Sequence, residues 1–407
     1  MVKYWSLAHI RGNTMTDFNY CSPTYFAFGR GKEALSGELV KKFGGKKTLL
    51  HYGGRSALSS GLIARVRASL EKAGVETVEL GGVKPNPRSS LVEEGIKLAL
   101  EEKVDFILAV GGGSVIDSAK AIAIGAANDG VWRKFYVGRE VKVRPAIPAA
   151  LGVGVVLTIA AAGSEASPNT VINLEPENLK RAAGADILRP KFAIMNPELT
   201  MSLPPFQTAC GLADMFAHLC ERYFSPTQDV ALTDNLCEGV MKCIIEEGLK
   251  VMANPDDYQA RANIMWSGTL AHNDICGVGR LQDWASHGIE HELSALYDCA
   301  HGAGLAVVMP AWMKYVYKNG VARFARFARN VFNVGMSVDD ESAALEGIEA
   351  FKSWLKSIGL PVNFAELGAK EDDIPKLVKT MNLSGNTLGS FQELDESDVE
   401  AIYRLCL

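Results

Sequence analysis

Residues 104–120 read VDFILAVGGGSVIDSAK, and this stretch decides the fold. Val104–Val110 is an apolar run of strand length that passes straight into Gly111-Gly112-Gly113-Ser114, and Val115–Ala127 then resumes helical spacing. A strand that feeds a helix through a glycine-rich turn is one half of a parallel βαβ unit. The glycines let the backbone approach an anion, and the helix N-terminus offers free amide donors with a favourable dipole. Ser114 is placed to cap that helix and to contact phosphate. The plainer alternative is a tight turn whose glycines supply positive φ. The run is not GxGxxG, so the ordinary dinucleotide fingerprint is absent.

Outward from this stretch, strand and helix patterns alternate. Lys47–Tyr52 is a short apolar run ending in Gly53-Gly54, Leu58–Lys72 is helical, and Val75–Leu80 reads as a strand ending at Gly81-Gly82. After the PNP at Pro85–Pro87, Ser89–Lys103 is helical again. Such alternation predicts a parallel sheet covered by helices. Ile147–Ala162 is apolar but broken by Pro148, Gly152 and Gly154, so it reads as a buried strand with its loop rather than a membrane span. Leu199–Pro205 is a boundary. Beyond it Phe206–Tyr223, Val230–Ala253, Tyr258–Leu270 and Val321–Val331 are all helix-patterned. The expectation is an α/β dinucleotide-binding domain over 1–199 and an all-α domain over 200–407, with residues 1–14 an extension if Met15 is the natural start.

A chain of 407 residues is ample for two cores. The formal charge of −5 is spread without a basic run, which argues against a nucleic-acid partner. Eight cysteines are scattered with no CxxC pair, and no secretory signal precedes them, so they read as reduced thiols of a cytoplasmic protein. No run reaches membrane-spanning length.

Four of the chain's seven histidines fall in two short stretches. In GLADMFAHLCERYF, Asp214 and His218 stand on one face of a helix. In WASHGIEHELSALYDCAHGAG, His287, His291 and His301 follow. Asp214, His218, His287 and His301 together read as a complete set for one divalent cation. If His287 and His301 share an ion, one straight helix would hold them about 21 Å apart. The chain must therefore turn near Asp298–Ala300, with His301 opening a new element.

GGGSVIDSAK, AAGSEAS at 161–167, Asp214-x3-His218 and HGIEHELSALYDCAHGAGLAVVMPAWM resemble the iron-containing (group III) alcohol dehydrogenase family, and within it the bacterial NADPH-dependent butanol dehydrogenases. The resemblance runs from about Phe18 to the C-terminus and implies the dehydroquinate synthase-like fold, an N-terminal dinucleotide-binding domain and a helical domain, as a homodimer or larger assembly. It implies metal ligation by Asp214, His218, His287 and His301. It makes His291 a proton-relay or substrate-orienting residue rather than a ligand. Cofactor contacts are implied at Gly53, Gly54, Arg55, Ser56, Gly111, Gly112, Gly113, Ser114, Asp117, Thr158 and Lys180.

Two departures stand out. The family's ATGSE has Ala162 in place of its threonine, so one hydroxyl near the cofactor is missing. Where NAD-preferring relatives carry Asp, this chain has Gly54 beside Arg55, which would admit a 2′-phosphate and favour NADP(H). Four protein ligands plus substrate suit Fe²⁺ better than Zn²⁺. The expected reaction is hydride transfer between NADP(H) and a small primary alcohol or aldehyde such as butanol and butyraldehyde. A glycerol-type polyol dehydrogenase and a dehydroquinate synthase-like lyase are the alternatives. Trp284 and Trp312 are candidates for aromatic material near the site, with core packing as their default role.

Overall fold

The computed structural model describes residues 14–407 other than 139, 140 and 142, and leaves the side chains of Arg55 and Ser56 outside the described residues. The expected N-terminal extension falls almost wholly on residues 1–13, also outside them. The strands are β1 (Tyr25–Phe28), β2 (Lys47–Tyr52), β3 (Glu76–Leu80), β4 (Phe106–Gly111), β5 (Gly152–Leu157), β6 (Asn169–Leu174), β7 (Leu179–Gly184) and β8 (Phe192–Met195). Six of them form a sheet in the order β1-β8-β5-β4-β2-β3, with every pair parallel. The helices that cover it are α1 (Ser36–Lys42), α2 (Arg55–Ser59), α3 (Leu62–Lys72), α4 (Ser89–Glu101) and α5 (Gly113–Ala127).

From β2 the chain steps outward to β3, then returns to the other side of β2 to lay down β4 and β5. The strand order therefore reverses between β2 and β4. Tyr52 pairs with Val110 at the ends of those two strands, so Gly53-Gly54 and Gly111-Gly112-Gly113 emerge side by side at the switch point, where open α/β sheets take their ligands. β4 is buried along its whole length. That burial on both faces explains its unbroken apolar run.

The chain beyond β8 is helical: α6 (Pro205–Tyr223), α7 (Ala231–Ala253), α8 (Tyr258–His272), α9 (Ala285–Tyr297), α10 (His301–Val316), α11 (Val321–Phe332), α12 (Asp340–Ser357), α13 (Phe364–Leu367), α14 (Ile374–Met381) and α15 (Glu396–Leu405). The core of this half is built on α6 and α10, whose residues Phe216, Leu219, Val308 and Trp312 are almost fully excluded from water. No helix among the described residues is long and apolar enough to cross a membrane.

Two expectations are corrected. The single helix over 58–72 is two, because Gly61 at φ 72° takes a left-handed conformation between α2 and α3. The antiparallel hairpin β6–β7 was not expected at all. Only part of each strand faces a core, so the apolar alternation is too weak to mark them.

His51, fully buried on β2, joins three elements. Its Nδ1–H donates to the Leu80 carbonyl at 2.8 Å and its Nε2 accepts from Ser118 Oγ at 2.9 Å. Burial lowers its pKa to about 4 from 6.5, against the opposing pull of that carbonyl. The unfolded chain thus takes up a proton below pH 6.5 that the folded chain refuses until about pH 4, and stability falls across that window. The full shift corresponds to about 3 kcal/mol. Urea unfolding of His51→Gln at pH 7 and pH 4.5 should show lower stability at pH 7 but a shallower loss on acidification than the parent chain.

Candidate metal centre and cofactor cleft

The centre is built where α6 is squeezed between two backbones. A Cβ on Gly302, the second residue of α10, would lie 2.0 Å from the Cys210 carbonyl oxygen, and one on Gly211 would lie 2.3 Å from that of Ala160. Only glycine permits such approaches, because real side chains do not come that close to a carbonyl. One turn further along α6 stands Asp214, then His218, then Glu221, all buried and all on one helical face.

Asp298 closes α9 in the left-handed region at φ 51° and ψ 31°, and α10 begins at His301. The expected turn at 298–300 is there, and Asn86 and Arg88 hold it from the sheet domain by donating to Asp298 Oδ1 at 3.0 and 2.8 Å. His301 thereby swings back toward His287. Asp214 Oδ1 lies 3.7 Å from His218 Nδ1, 3.9 Å from His287 Nε2 and 3.8 Å from His301 Nε2. The ligand atoms of Asp214, His287 and His301 fall within 4.8 Å of one another. His218 joins them through Asp214 and by stacking on His287, with ring centroids 4.7 Å apart.

Asp214 Oδ1, His218 Nδ1 and His287 Nε2 are buried without a hydrogen-bond partner. Buried polar atoms are otherwise almost always satisfied. Here the orphans converge, and a carboxylate with neutral imidazoles is the donor set of a divalent cation. Burial raises the Asp214 carboxyl pKa, against His301 and His287, which lower it. Burial also drives His218 well below the usual imidazole range, so it is neutral and able to ligate. The four residues fit a metal ion.

Two carboxylates not anticipated from the sequence orient the ligands. Glu221, fully buried, accepts from His287 Nδ1 at 2.8 Å and from the amides of Trp284 and His287 at 2.7 and 2.9 Å. This leaves the Nε2 lone pair of His287 facing Asp214. Glu290 is hydrogen-bonded to His301 Nδ1 and does the same for that ring. Burial raises the Glu290 pKa, but His301 and Lys180 outweigh it and hold the group at about 2. Gly304 leaves the room, since a Cβ there would lie 2.6 Å from Glu290 Oε1. The signal was present in the spacing: Glu221 is seven residues past Asp214, and Glu290 three past His287.

Lys180, expected to reach the cofactor, sits on β7, buried, 3.6 Å from Glu290 and 3.4 Å from His301 Nδ1. His291 is half-buried one turn beyond His287, its ring 5.7 Å from that of His301. Trp284 packs its edge against His287 at 5.1 Å. Trp312 does not belong to the site; it is core, against Phe224 and Phe391.

At the switch point the glycines have a different cause from the φ > 0 turn considered above. None of Gly111, Gly112 and Gly113 has positive φ. Instead a Cβ on Gly112 would come 1.9 Å from Ile159, and one on Gly113 would touch Ala162 at 3.2 Å. Gly112, not Ser114, is the N-cap of α5, with no side-chain cap. The first amides of α5 therefore have no acceptor within the helix. Thr158 borders this turn, its amide donating to the Gly111 carbonyl at 3.1 Å. The Asp117 carboxylate accepts from Ser164 Oγ at 2.9 Å and the Val171 amide at 2.8 Å. It thus fastens α5 to the 161–167 loop and to β6. Gly53 and Gly54 follow β2 beside this turn, and a Cβ on Gly54 would meet nothing within 4 Å. The Arg55 and Ser56 contacts fall on side chains outside the described residues.

The family model described as iron-containing alcohol dehydrogenase matches residues 23–197, and that of the Fe-containing alcohol dehydrogenase family, C-terminal, matches 208–407. The probable NADH-dependent butanol dehydrogenase 2 of Bacillus subtilis is 38% identical over 397 residues, 97% of this chain and 100% of the relative. The NADPH-dependent aldehyde reductase YqhD of Escherichia coli is 35% identical, over 92% of this chain and 95% of its own. The crystal structure of NADH-dependent butanol dehydrogenase A from Thermotoga maritima superposes with a TM-score of 0.92 at 42% identity, covering 97% of this chain and 99% of that one.

Glu221→Gln should keep the fold but weaken divalent-metal binding by about 10–100-fold, the usual effect of losing a carboxylate behind a ligand imidazole. Titration of chelator-stripped protein with Zn²⁺ checks this, and unchanged affinity would remove Glu221 from the centre.

Proposed function

The chain belongs to the iron-containing alcohol dehydrogenase family, and we propose that it transfers hydride between NADP(H) and small primary alcohols or aldehydes such as butanol and butyraldehyde. The observation that carries this is the convergence of three buried, unpartnered ligand atoms about Asp214, on a helical domain packed against the switch point of a parallel sheet. Asp214, His218, His287 and His301 would hold the cation, Fe²⁺ in preference to Zn²⁺ since four protein ligands already exceed the three usual in catalytic zinc sites. When bound, the cation supplies Lewis acidity at the substrate oxygen, and the nicotinamide gives or takes the hydride.

The chain's own residues do the rest. One carboxylate and three neutral imidazoles leave a single formal positive charge with a divalent ion, suited to an alkoxide oxygen. His291 stands next to the ligand His301 and in this reading moves the proton to or from the substrate oxygen. The amides at the start of α5 receive the pyrophosphate. Asp117 fixes the wall of the cleft, and its oxygens keep acceptor capacity toward the nicotinamide end of the cofactor. Lys180 sets the charge behind His301 through Glu290.

The preference for NADP(H) rests on Gly54. Position 54 carries no carboxylate, and the space a Cβ would enter there is open, which accommodates a 2′-phosphate. The names of the relatives divide on this point, NADH-dependent for the Bacillus protein and NADPH-dependent for YqhD. Gly54→Asp should shift the ratio of kcat/KM for NADPH over NADH toward NADH by tenfold or more, about 1.4 kcal/mol, and an unmoved ratio would withdraw the argument.

The first test is NADPH oxidation with butyraldehyde by chelator-stripped protein reconstituted anaerobically with Fe²⁺ or Zn²⁺, NADH run alongside. Turnover is expected only with metal. Asp214→Ala and His287→Ala should lose metal and turnover together and still bind NADPH. His291→Ala should keep its metal and lose about 100-fold or more in kcat, the range of a general acid–base contribution. Full turnover by a metal-free variant would show that the site is wrongly assigned.

A further inference from the structure

Two of the three ligand imidazoles are held by carboxylates, His287 by Glu221 and His301 by Glu290. His218 is different. Its Nδ1 is an unpartnered atom facing Asp214, and no hydrogen bond reaches its ring among the described residues. The ring is nevertheless packed face against face. His272, at the C-terminal end of α8, lies 4.1 Å away, centroid to centroid, with 30° between the planes, and His287 lies 4.7 Å away at 21°.

His272 is itself fixed from two sides. Arg222 Nη2 lies 3.2 Å from its Nδ1. A guanidinium can only donate, so Nδ1 accepts and the proton of the neutral ring is on Nε2. Arg222 is almost fully buried and anchored in turn, by Asp274 at 2.9 Å and by the His218 carbonyl at 3.0 Å, with its guanidinium 4.8 Å from the centroid of the Trp284 ring. On the other side Gly163, left-handed at φ 62°, brings the 161–167 loop so close that a Cβ there would lie 2.6 Å from His272 Cβ. The loop backbone therefore packs directly on the root of the His272 side chain. Among the described residues Arg222 is the one charged group hydrogen-bonded to its ring, and His218 lies against that ring.

We propose that His272, locked by Arg222, is a positioning residue for the metal centre, orienting the ligand His218 by ring-on-ring packing as Glu221 orients His287 by a hydrogen bond. An imidazole on α6 is free to rotate about χ2 unless something takes its face or its second nitrogen. For His218 the face is what is taken. The Arg222 contact sets which edge His272 presents, and the loop at Gly163 keeps it in place. The same loop borders the phosphate turn through Ala162, so the cofactor side and the metal side of the cleft share this wall. The proposal rests on the metal-site reading above.

The test is calorimetric titration of Co²⁺ into chelator-stripped protein, with the visible d–d bands of the cobalt form as a second readout and NADPH binding as the check on folding. His272→Ala removes the ring face and should bind Co²⁺ about 10–100-fold more weakly, with shifted bands and unchanged NADPH binding. His272→Phe keeps a face without the nitrogen and should restore affinity to within about threefold of the parent. Parent-like affinity and bands in His272→Ala would overturn the proposal. So would a Phe variant as weak as Ala, since the hydrogen bond to Arg222 and not the ring face would then be what matters. If His272→Ala does not fold, His272→Leu fills similar volume without an aromatic face, and parent-like Co²⁺ affinity in it would overturn the proposal equally. Failure of the parent chain itself to take up Co²⁺ would overturn the metal-site reading, and this proposal with it.

Discussion

A buried carboxylate oxygen with no hydrogen bond is the constraint on which the rest of this structure depends. Asp214 Oδ1 is excluded from water and faces three imidazole rings at 3.7–3.9 Å. Burying an ionised carboxylate unpaired is among the costliest arrangements in a protein interior. A cation at that point turns the cost into binding energy, and the surrounding elements are placed so that little else can satisfy it. α6 supplies the carboxylate and one ring, α9 the second, and α10 the third through the left-handed turn at Asp298.

Close backbone packing makes this geometry rigid. Gly302 against the Cys210 carbonyl and Gly211 against the Ala160 carbonyl fix α6 from both sides. The first contact joins the helices that carry the candidate ligands; the second ties α6 to the loop that leaves β5. That loop runs on past the phosphate turn, and Asp117 fastens it to α5 and β6. Lys120, also on α5, donates to the carbonyls of Ser164, Ser167 and Asn169 at 2.8–2.9 Å. The cleft between the two halves is thus lined by segments held at both ends, which suits hydride transfer, where small displacements of the reacting groups are costly.

Support for the three ligand rings is uneven, and that unevenness is informative. Carboxylates sit behind His287 and His301, while His218 has only ring faces around it, with Arg222 close by. A third carboxylate there would add negative charge to a site that already holds Asp214, Glu221 and Glu290. Aromatic packing fixes orientation without adding charge, and burial, reinforced by the neighbouring guanidinium, holds both His218 and His272 well below the usual imidazole range.

The sequence by itself determined what is local. Period and turn chemistry marked β2, β4 and α5–α8, and the glycine turn marked a strand feeding a helix; that this turn lies at the switch point was decided by the strand order. Asp214, His218, His287 and His301 could be picked out as candidate ligands because two of them share a helical face and the others flank a turn that brings them back together. Tertiary structure alone decided the rest. Lys180 rides on a hairpin whose strands are too polar to be recognised by alternation, so its place behind Glu290 was invisible. His272 lies at the end of another helix, 54 residues after His218, and no spacing rule links them. Trp312, about three turns along α10 from His301, takes the packing role that is the default for its residue type, against Phe224. At the glycine turn, too, packing decides: the constraint is close approach of Ile159 and Ala162 rather than positive φ. Periodicity reports which face of an element is buried; what it is buried against is set by the packing of elements distant in the chain.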